Sequence, residues 1–474
     1  MRFRNILLLF IPVLLLTACN KFLDVKPKTQ IDTDDAFRDE QGFMDALTGV
    51  YLKMNVNAVY GQELSFGLTE VLSMQHSRFT STFHEYYYAA QYNYTNAAVR
   101  SKIDGIWKGL YNAIANDNSL ISHLNTTDQK MFRDVNYPII RGEAYGLRAF
   151  MHFDLLRLFA PAPASTGGLT AKAIPYMDQL TVNALPRLTV QEILNRILAD
   201  CAFAEAALKT TDPIVPGSTT PATTSGYLRD RSYKFNYYAV KALEARVYLY
   251  MGDKAKALAA AEEVINANAF TWVNIPEVSS GNKVFTSELI FTLYKSDMDA
   301  FTQSYFTPTS TNVLTKSSSD EFLTIYETDA DIRYTALTDL ENTSTNIRVS
   351  NKLAQPAGVY TAFLRRMPLM RISEMYYIAA EALKESDPEK AVTYLNTVRR
   401  ARNVMADLPF TLTTEQIQEE IFKEYRKDLY CEGQLFFYYK RLNLPAIVYS
   451  NVTADNKVYV LPLPDNEVEY GNGN

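Results

Sequence analysis

The chain contains few residues of the types that would place it in several common protein classes. Gly 18 and Pro 19 are both scarce among 474 residues, which excludes collagen-like and low-complexity chains. Cys 3 is too few for a disulfide scaffold. Lys+Arg 47 does not exceed Asp+Glu 53, so there is no basic excess to bind a nucleic-acid backbone. The scarcity of helix breakers and the ordinary apolar share of 47% predict a folded protein with long helices.

Catalytic and metal-binding motifs are also missing. The sequence contains no G-x-S-x-G, Walker A, G-x-G-x-x-G or H-E-x-x-H pattern. Of only four histidines, His76 and His84 share one loop, where we expect them at the surface. Asp329 and Asp331 form an acidic pair that could hold a structural calcium ion, but no EF-hand loop surrounds them. The sequence therefore predicts no enzyme, cofactor or motif-supported metal site.

Aromatic residues are abundant, and most of them are tyrosine. The counts are Tyr 32, Phe 25 and Trp 2. Tyrosine combines a flat apolar ring with a hydrogen-bonding hydroxyl. The densest cluster lies in residues 84–96 and contains Tyr86, Tyr87, Tyr88, Tyr92 and Tyr94. This surplus favours a binding surface that uses tyrosine for stacking.

The N-terminus has the pattern of an export signal. Arg2 and Arg4 precede an apolar run that ends in Leu16-Thr17-Ala18-Cys19, a run too short to be a permanent span. Residues 1–18 are therefore predicted to be a signal peptide, and Cys19 resembles the lipid-modified cysteine of a bacterial lipobox. Removing residues 1–18 takes away two Arg, so the mature chain carries 45 − 53 = −8. We expect lipid chains, rather than attraction to anionic headgroups, to hold it at a membrane.

Periodic apolar residues and start signals predict several helices. Pro138 opens one that continues until Pro161, and Cys201 lies on the apolar face of another. Three capping boxes predict further helix starts: Ser101 with Asp104, Thr189 with Glu192, and Thr413 with Gln416.

Two segments resemble the tetratricopeptide pattern of small residues at a helix crossing. The first has Ala245, Gly252-Asp253 and Ala257, and a shift of 134 residues reaches Ala379 and Asp387. Any pair of antiparallel helices would also use alanine at its crossing. The predicted fold is mainly α: tetratricopeptide-like helix pairs form a right-handed helical scaffold with a few short strands. Residues 19–474 are predicted to be one domain, with irregular loops inserted near 75–100, 160–188, 210–232 and 268–360.

Motifs along nearly the whole chain resemble the SusD/RagB family of Bacteroidetes outer-membrane lipoproteins. The matching segments are Phe22-Leu23-Asp24, Gly49-Val50-Tyr51, Trp107 with Leu110-Tyr111, Gly142-Glu143-Ala144 and Glu432-Gly433-Gln434. The sequence departs from the family after the last of these, because Leu435 and Tyr438 stand where Arg and Asp are common.

This resemblance implies a non-catalytic lipoprotein of the cell outer membrane that faces the exterior. Such a protein captures an oligosaccharide or polysaccharide and passes it to a SusC-like, TonB-dependent barrel; its helix pairs meet the barrel and its loops meet the ligand. An oligopeptide-binding relative is the first alternative. A surface glycoside hydrolase is the second alternative. The two carboxylates that such an enzyme needs form no recognisable sequence motif, so the sequence leaves this alternative open.

Sugars offer apolar C–H faces and a rim of hydroxyls, which suit tyrosine, tryptophan and amide side chains. Trp107 is expected in the core, because it lies on a helix stripe with Leu110 and Ile114. The candidate ligand-binding residues are Tyr86, Tyr88, Tyr92, Asn93, Trp272 and Tyr305.

Overall fold

The structure is a computed structural model that describes residues 36–181, 183–220, 226–342 and 347–471. The predicted signal peptide, residues 1–18, and the predicted lipidation site, Cys19, lie outside these residues. Within the described ranges, no helix has the length and apolar character needed to cross a bilayer.

Helices form most of the described chain, and strands are few. The longer helices are α1 (Glu40–Met54), α3 (Ala97–Thr126), α4 (Asn136–Phe159), α5 (Val190–Leu208), α6 (Tyr237–Met251), α7 (Lys254–Asn266), α12 (Ile372–Leu383), α13 (Pro388–Ala401) and α14 (Thr414–Asp428). The shorter helices are α2 (Leu68–Leu72), α8 (Ile275–Ser279), α9 (Met298–Tyr305), α10 (Ser319–Tyr326), α11 (Ile332–Leu337), α15 (Leu435–Arg441), α16 (Asn456–Tyr459) and α17 (Asp465–Tyr470). The strands are β1 (Leu289–Tyr294), β2 (Thr338–Asn342), β3 (Ile347–Ser350) and β4 (Arg366–Arg371).

Two of the three predicted capping boxes begin helices. At the start of α5, the Thr189 backbone N–H donates to the Glu192 carboxylate at 2.7 Å, and the Glu192 N–H donates to the Thr189 hydroxyl at 3.3 Å. The same reciprocal pair, formed by Thr413 and Gln416, starts α14. The Ser101 prediction is wrong, because Asn96 caps α3 five residues earlier by accepting from the Ala98 N–H at 3.0 Å.

The two tetratricopeptide-like segments form adjacent helix pairs, as predicted. Gly252 ends α6 with a φ of +83°, a left-handed conformation that glycine adopts without penalty. Asp253 then caps α7 through the Lys256 N–H, and Asp387 caps α13 through the Lys390 N–H. Helix α7 also packs on α12, so the two pairs meet although more than a hundred residues separate them.

The segment 268–360, predicted as irregular loop, contains more regular structure than expected. It holds α8 to α11 and the strands β1, β2 and β3. Strand β1 pairs antiparallel with β4, which leads directly into α12, and β2 pairs with β3. The insertion is therefore attached to the helical scaffold through a β ladder.

A buried ion-pair network also fastens this insertion to the C-terminal helices. Arg402 donates to Glu288 at 2.7 Å and to Asp428 at 2.9 Å. Arg333 pairs with Asp331 at 2.7 Å, and all of these side chains are almost fully buried. Burial would raise the pKa of Asp428, but Arg402 and Arg333 hold it well below the ordinary value. Asp331 is buried and paired with Arg333, so Asp329 and Asp331, the acidic pair considered for calcium, do not form an accessible cation site.

Candidate functional site

Residues 73–95 and 306–317 lie against each other and form one irregular surface, which we call the loop face. The backbone N–H groups of Ser77 and Arg78 donate to the Thr315 carbonyl at 3.0 and 3.3 Å. The Glu85 N–H donates to the Asn312 side-chain oxygen at 3.0 Å. Two predicted insertions, far apart in the sequence, are therefore joined in one surface.

Two of the predicted ligand-binding tyrosines lie beneath this surface. The Gln62 amide donates to the hydroxyls of Tyr86 and Tyr305, both at 2.9 Å. The Tyr86 hydroxyl in turn donates to Glu63 at 3.0 Å, and the Lys102 ammonium lies 4.3 Å from the Tyr86 ring centroid. Tyr86 has no exposed surface, and burial raises the pKa of its hydroxyl. Tyr86 and Tyr305 therefore support the loop face from beneath: Tyr86 has no exposed ring surface, and Tyr305 is only 9% exposed.

Tyr88, Tyr92 and Asn93 lie at or near the surface. Tyr88 is half-buried and meets Tyr87 edge to face, with ring centroids 5.2 Å apart. Tyr92 is also half-buried, and its hydroxyl donates to the Leu72 carbonyl at 3.2 Å. Burial raises the pKa of this hydroxyl to about 12. Asn93 is exposed, and its side-chain oxygen accepts from the Asn96 N–H at 3.2 Å. Among the described residues the Asn93 amide nitrogen has no hydrogen-bond partner, so it can donate to a ligand or to water.

Sequence reasoning missed two aromatic residues close to this surface. Phe83, within segment 73–95, is 89% exposed. Tyr449 is 38% exposed and has a left-handed φ of +69°. Its ring lies 4.2 Å from the Lys316 ammonium, which donates to the Met74 carbonyl of the loop face. A left-handed backbone conformation in a residue other than glycine is found more often at functional sites. No sequence motif predicts this conformation, so sequence analysis did not identify Tyr449.

Trp272 lies away from the tyrosine cluster. Its ring centroid is 5.1 Å from that of Tyr376 on α12, and the Arg402 guanidinium is 5.3 Å from the ring. Trp272 is half-buried against the helix pairs. The structure therefore does not bring it together with Tyr88 and Asn93.

The two histidines of segment 73–95 are buried, although the sequence predicted them at the surface. His76 has no exposed surface and its Nδ1 lies 3.1 Å from the Tyr430 hydroxyl. His84 is 5% exposed and its Nε2 lies 3.3 Å from the Val313 carbonyl. Burial lowers the pKa of both imidazoles, so they act as neutral parts of the framework.

This combination defines a class: a binding protein that presents aromatic and amide side chains on loops above a helical scaffold. Two family models match the chain, one described as "Starch-binding associating with outer membrane" over residues 21–249 and one for the SusD family over residues 333–460. The chain belongs to the SusD/RagB family, a family of carbohydrate-binding proteins associated with the outer membrane. Because these are binding proteins and not enzymes, the hydrolase alternative is excluded.

Individual relatives are distant in sequence but similar in fold. SusD-like protein P2 of Formosa agariphila is 24% identical, with 96% of each chain covered. SusD-like protein P25 of the same organism is 21% identical, and the chain spans only 52% of its length. A SusD superfamily structure from Bacteroides thetaiotaomicron has a TM-score of 0.69 at 22% identity, covering 94% of this chain and 99% of that one. A laminarin-binding SusD-like protein has a TM-score of 0.67 at 17% identity, covering 92% and 99%.

Proposed function

We propose that this chain is a lipid-anchored glycan receptor on the outer face of the outer membrane. It captures oligosaccharide on the loop face and passes it to a SusC-like, TonB-dependent transporter. Membership of the SusD family and the lipobox-like Leu16-Thr17-Ala18-Cys19 support this proposal. The laminarin-binding neighbour supports a polysaccharide as the first ligand to test.

The observation that carries the proposal is the layered construction of the loop face. Gln62 holds the buried hydroxyls of Tyr86 and Tyr305, which fixes the segment that bears Tyr88 and Asn93. A ring held in place in this way loses little conformational entropy when a sugar stacks on it. The neighbouring Asn93 amide supplies a donor for a sugar hydroxyl.

Binding by a soluble form that begins after Cys19 tests the loop face. Retardation in gels that contain laminarin, starch or other polysaccharides measures affinity, and product analysis checks for cleavage. Tyr88→Ala should weaken binding roughly 2- to 12-fold, since an aromatic contact contributes about 0.5–1.5 kcal/mol. Tyr360→Ala is the matched control, because Tyr360 is 68% exposed outside the loop face.

Each outcome has a defined meaning. Equal affinity of the Tyr88→Ala and Tyr360→Ala variants would refute the loop face as the site. Binding of oligopeptides without any binding of glycans would replace the proposal with the peptide alternative. Purification of the lipidated chain from outer membranes tests the transporter, and failure to recover a TonB-dependent barrel with it would refute that partner.

A further inference from the structure

A small cavity of about 30 Å³ lies where five helices of the scaffold meet. Its lining residues come from α4, α6, α12, α14 and α15, and from Gln434 just before α15. No residue of the loop face contributes to it. A cavity needs roughly 10–15 Å³ to hold one water molecule, so this one has room for a monatomic ion or for one or two waters.

Two side chains of α6 that line the cavity each have a polar atom without a partner. The Nη1 of Arg246 and the hydroxyl of Tyr250 are buried and form no hydrogen bond within the part of the chain that the structure describes. The remaining guanidinium nitrogens of Arg246 are used, since Nε donates to Glu374 at 2.7 Å and Nη2 to the Leu369 carbonyl at 2.8 Å. Arg246 is 5% exposed and Tyr250 is 3% exposed, so bulk water does not supply the missing partners. Leaving such donors unpaired costs free energy, which an acceptor in the cavity would recover.

The walls of the cavity carry more positive than negative charge. Three of the lining residues are arginines, and each has a carboxylate partner. However, Asp154, which pairs with Arg157, and Glu381, which pairs with Arg441, are not among the lining residues. Three guanidinium groups and one carboxylate, that of Glu374, therefore border the space. A cation here would be repelled at short range, whereas an anion would be attracted.

The Tyr250 hydroxyl is exposed to the same positive charges. Burial raises the pKa of this hydroxyl, and the positive charges of Arg157 and Arg441 oppose that rise. A protonated phenol can donate a hydrogen bond to an anion. The hydroxyl and the Arg246 guanidinium therefore offer two donors to one occupant.

A surface groove of about 370 Å³ borders the cavity. The two spaces share three lining residues, Leu249, Tyr250 and Arg441. The groove is also lined by Lys254 and Lys384 and by one acid, Glu381. Lys254 pairs with Glu385 at 2.6 Å, and even with this acid counted, three cations face two carboxylates. An anion arriving from solvent would thus meet a positive surface before it reaches the cavity.

We propose that the cavity binds one monovalent anion of halide size, such as chloride. The Arg246 Nη1 and the Tyr250 hydroxyl donate to the ion, and the guanidinium groups of Arg157 and Arg441 balance its charge. The ion stabilises the junction of the five helices. A water molecule is the competing occupant, and it would accept from both donors without offsetting the positive charge. The inference is independent of glycan binding by the loop face.

Thermal unfolding of the chain in different sodium salts at one ionic strength tests this site. Chloride and bromide should raise the unfolding midpoint relative to methanesulfonate, which is too large for the cavity, because a ligand that binds only the folded chain stabilises it. Tyr250→Phe should weaken the apparent chloride affinity about tenfold, since it removes one hydrogen bond to a charged group. Tyr248→Phe is the matched control, because Tyr248 lies on the same helix and does not line the cavity.

Bromide anomalous diffraction from crystals of the unchanged chain locates the ion independently of any variant. It should give one peak within hydrogen-bond distance of Arg246 and Tyr250. Equal midpoints in chloride and methanesulfonate overturn the proposal, as does an equal chloride dependence of the Tyr250→Phe and Tyr248→Phe variants. A cavity that holds water in the bromide crystals overturns it too. A bromide peak without any chloride-dependent stability would mean an adventitious ion only, and that result also overturns the proposal.

Discussion

Gly433 provides a sharp test of how the loop region is supported. It lies between α14 and α15 with a left-handed φ of +69°. A Cβ atom at this position would lie 2.5 Å from the Leu64 carbonyl oxygen and 2.5 Å from the Thr69 hydroxyl. The Gly433 N–H also donates to the buried Glu70 carboxyl group at 3.0 Å. Gly433→Ala should therefore displace the backbone that precedes α2 and should also strain the backbone at position 433.

The size of the effect follows from these contacts. The left-handed conformation costs alanine about 1–2 kcal/mol. Weakening a buried hydrogen bond to Glu70 adds about 1–3 kcal/mol, so the total loss should be roughly 2–5 kcal/mol. Gly252→Ala is the matched control, because its φ is +83° but its Cβ would meet nothing within 4 Å. It should lose only the conformational part, about 1–2 kcal/mol.

Guanidinium-induced unfolding of the soluble chain, followed by circular dichroism, measures both variants. The reasoning predicts a clearly lower midpoint for Gly433→Ala than for Gly252→Ala. Stabilities within about 0.5 kcal/mol of each other, the usual spread for an unremarkable site, would refute the claim that the close backbone approach demands glycine at 433.

Three further predictions concern the ion-pair network, a buried acid and the anchor. Arg402→Met should lose about 3–5 kcal/mol of stability, because it leaves the buried Glu288 and Asp428 without their main partner. The control Arg400→Met breaks an exposed pair with Asp407 and should lose at most about 1 kcal/mol. Similar unfolding midpoints for the two variants would contradict the stabilising role of the buried network. Burial raises the pKa of Glu70 to about 8 from an unfolded value of 4.5, so its stabilising contribution is present below pH 4.5 and is lost as pH rises toward 8. The unfolding free energy of wild type relative to Glu70→Gln should thus fall by about 1.4 kcal/mol per pH unit between those values, and a pH-independent difference would refute the raised pKa. Cys19→Ala should move the chain from the detergent phase to the aqueous phase in Triton X-114 partitioning, and retention in the detergent phase would refute lipidation at Cys19.

Much of the helical scaffold was predictable because its signals are local. The caps formed by Thr189 with Glu192 and by Thr413 with Gln416 act within a single turn of chain. The Gly252-Asp253 turn likewise depends on neighbouring residues. The Ser101 prediction failed for an equally local reason, because Asn96 caps the helix five residues earlier and Asp104 pairs with Arg100 inside the helix.

The candidate site was less predictable, because residues close in sequence have different surroundings. Tyr86 and Tyr88 are two residues apart, yet one is fully buried and the other reaches the surface. Trp272 and Tyr88 were both candidate ligand-binding residues, but Trp272 packs on Tyr376 of the helix pairs. Phe83 and Tyr449 were missed, since exposure and backbone strain leave no linear motif.

The sequence by itself determined the class of protein, the helix pairs and a tyrosine-rich segment suited to binding. These features depend on residue type and on contacts within a few positions along the chain. Tertiary structure alone decided which aromatic rings are available to a ligand. The Gln62 amide donates to the hydroxyls of both Tyr86 and Tyr305, although Tyr305 is 243 positions from Gln62 in the sequence, and both rings are buried there. Burial is set by such distant partners, so only the folded chain distinguishes a supporting ring from a binding one.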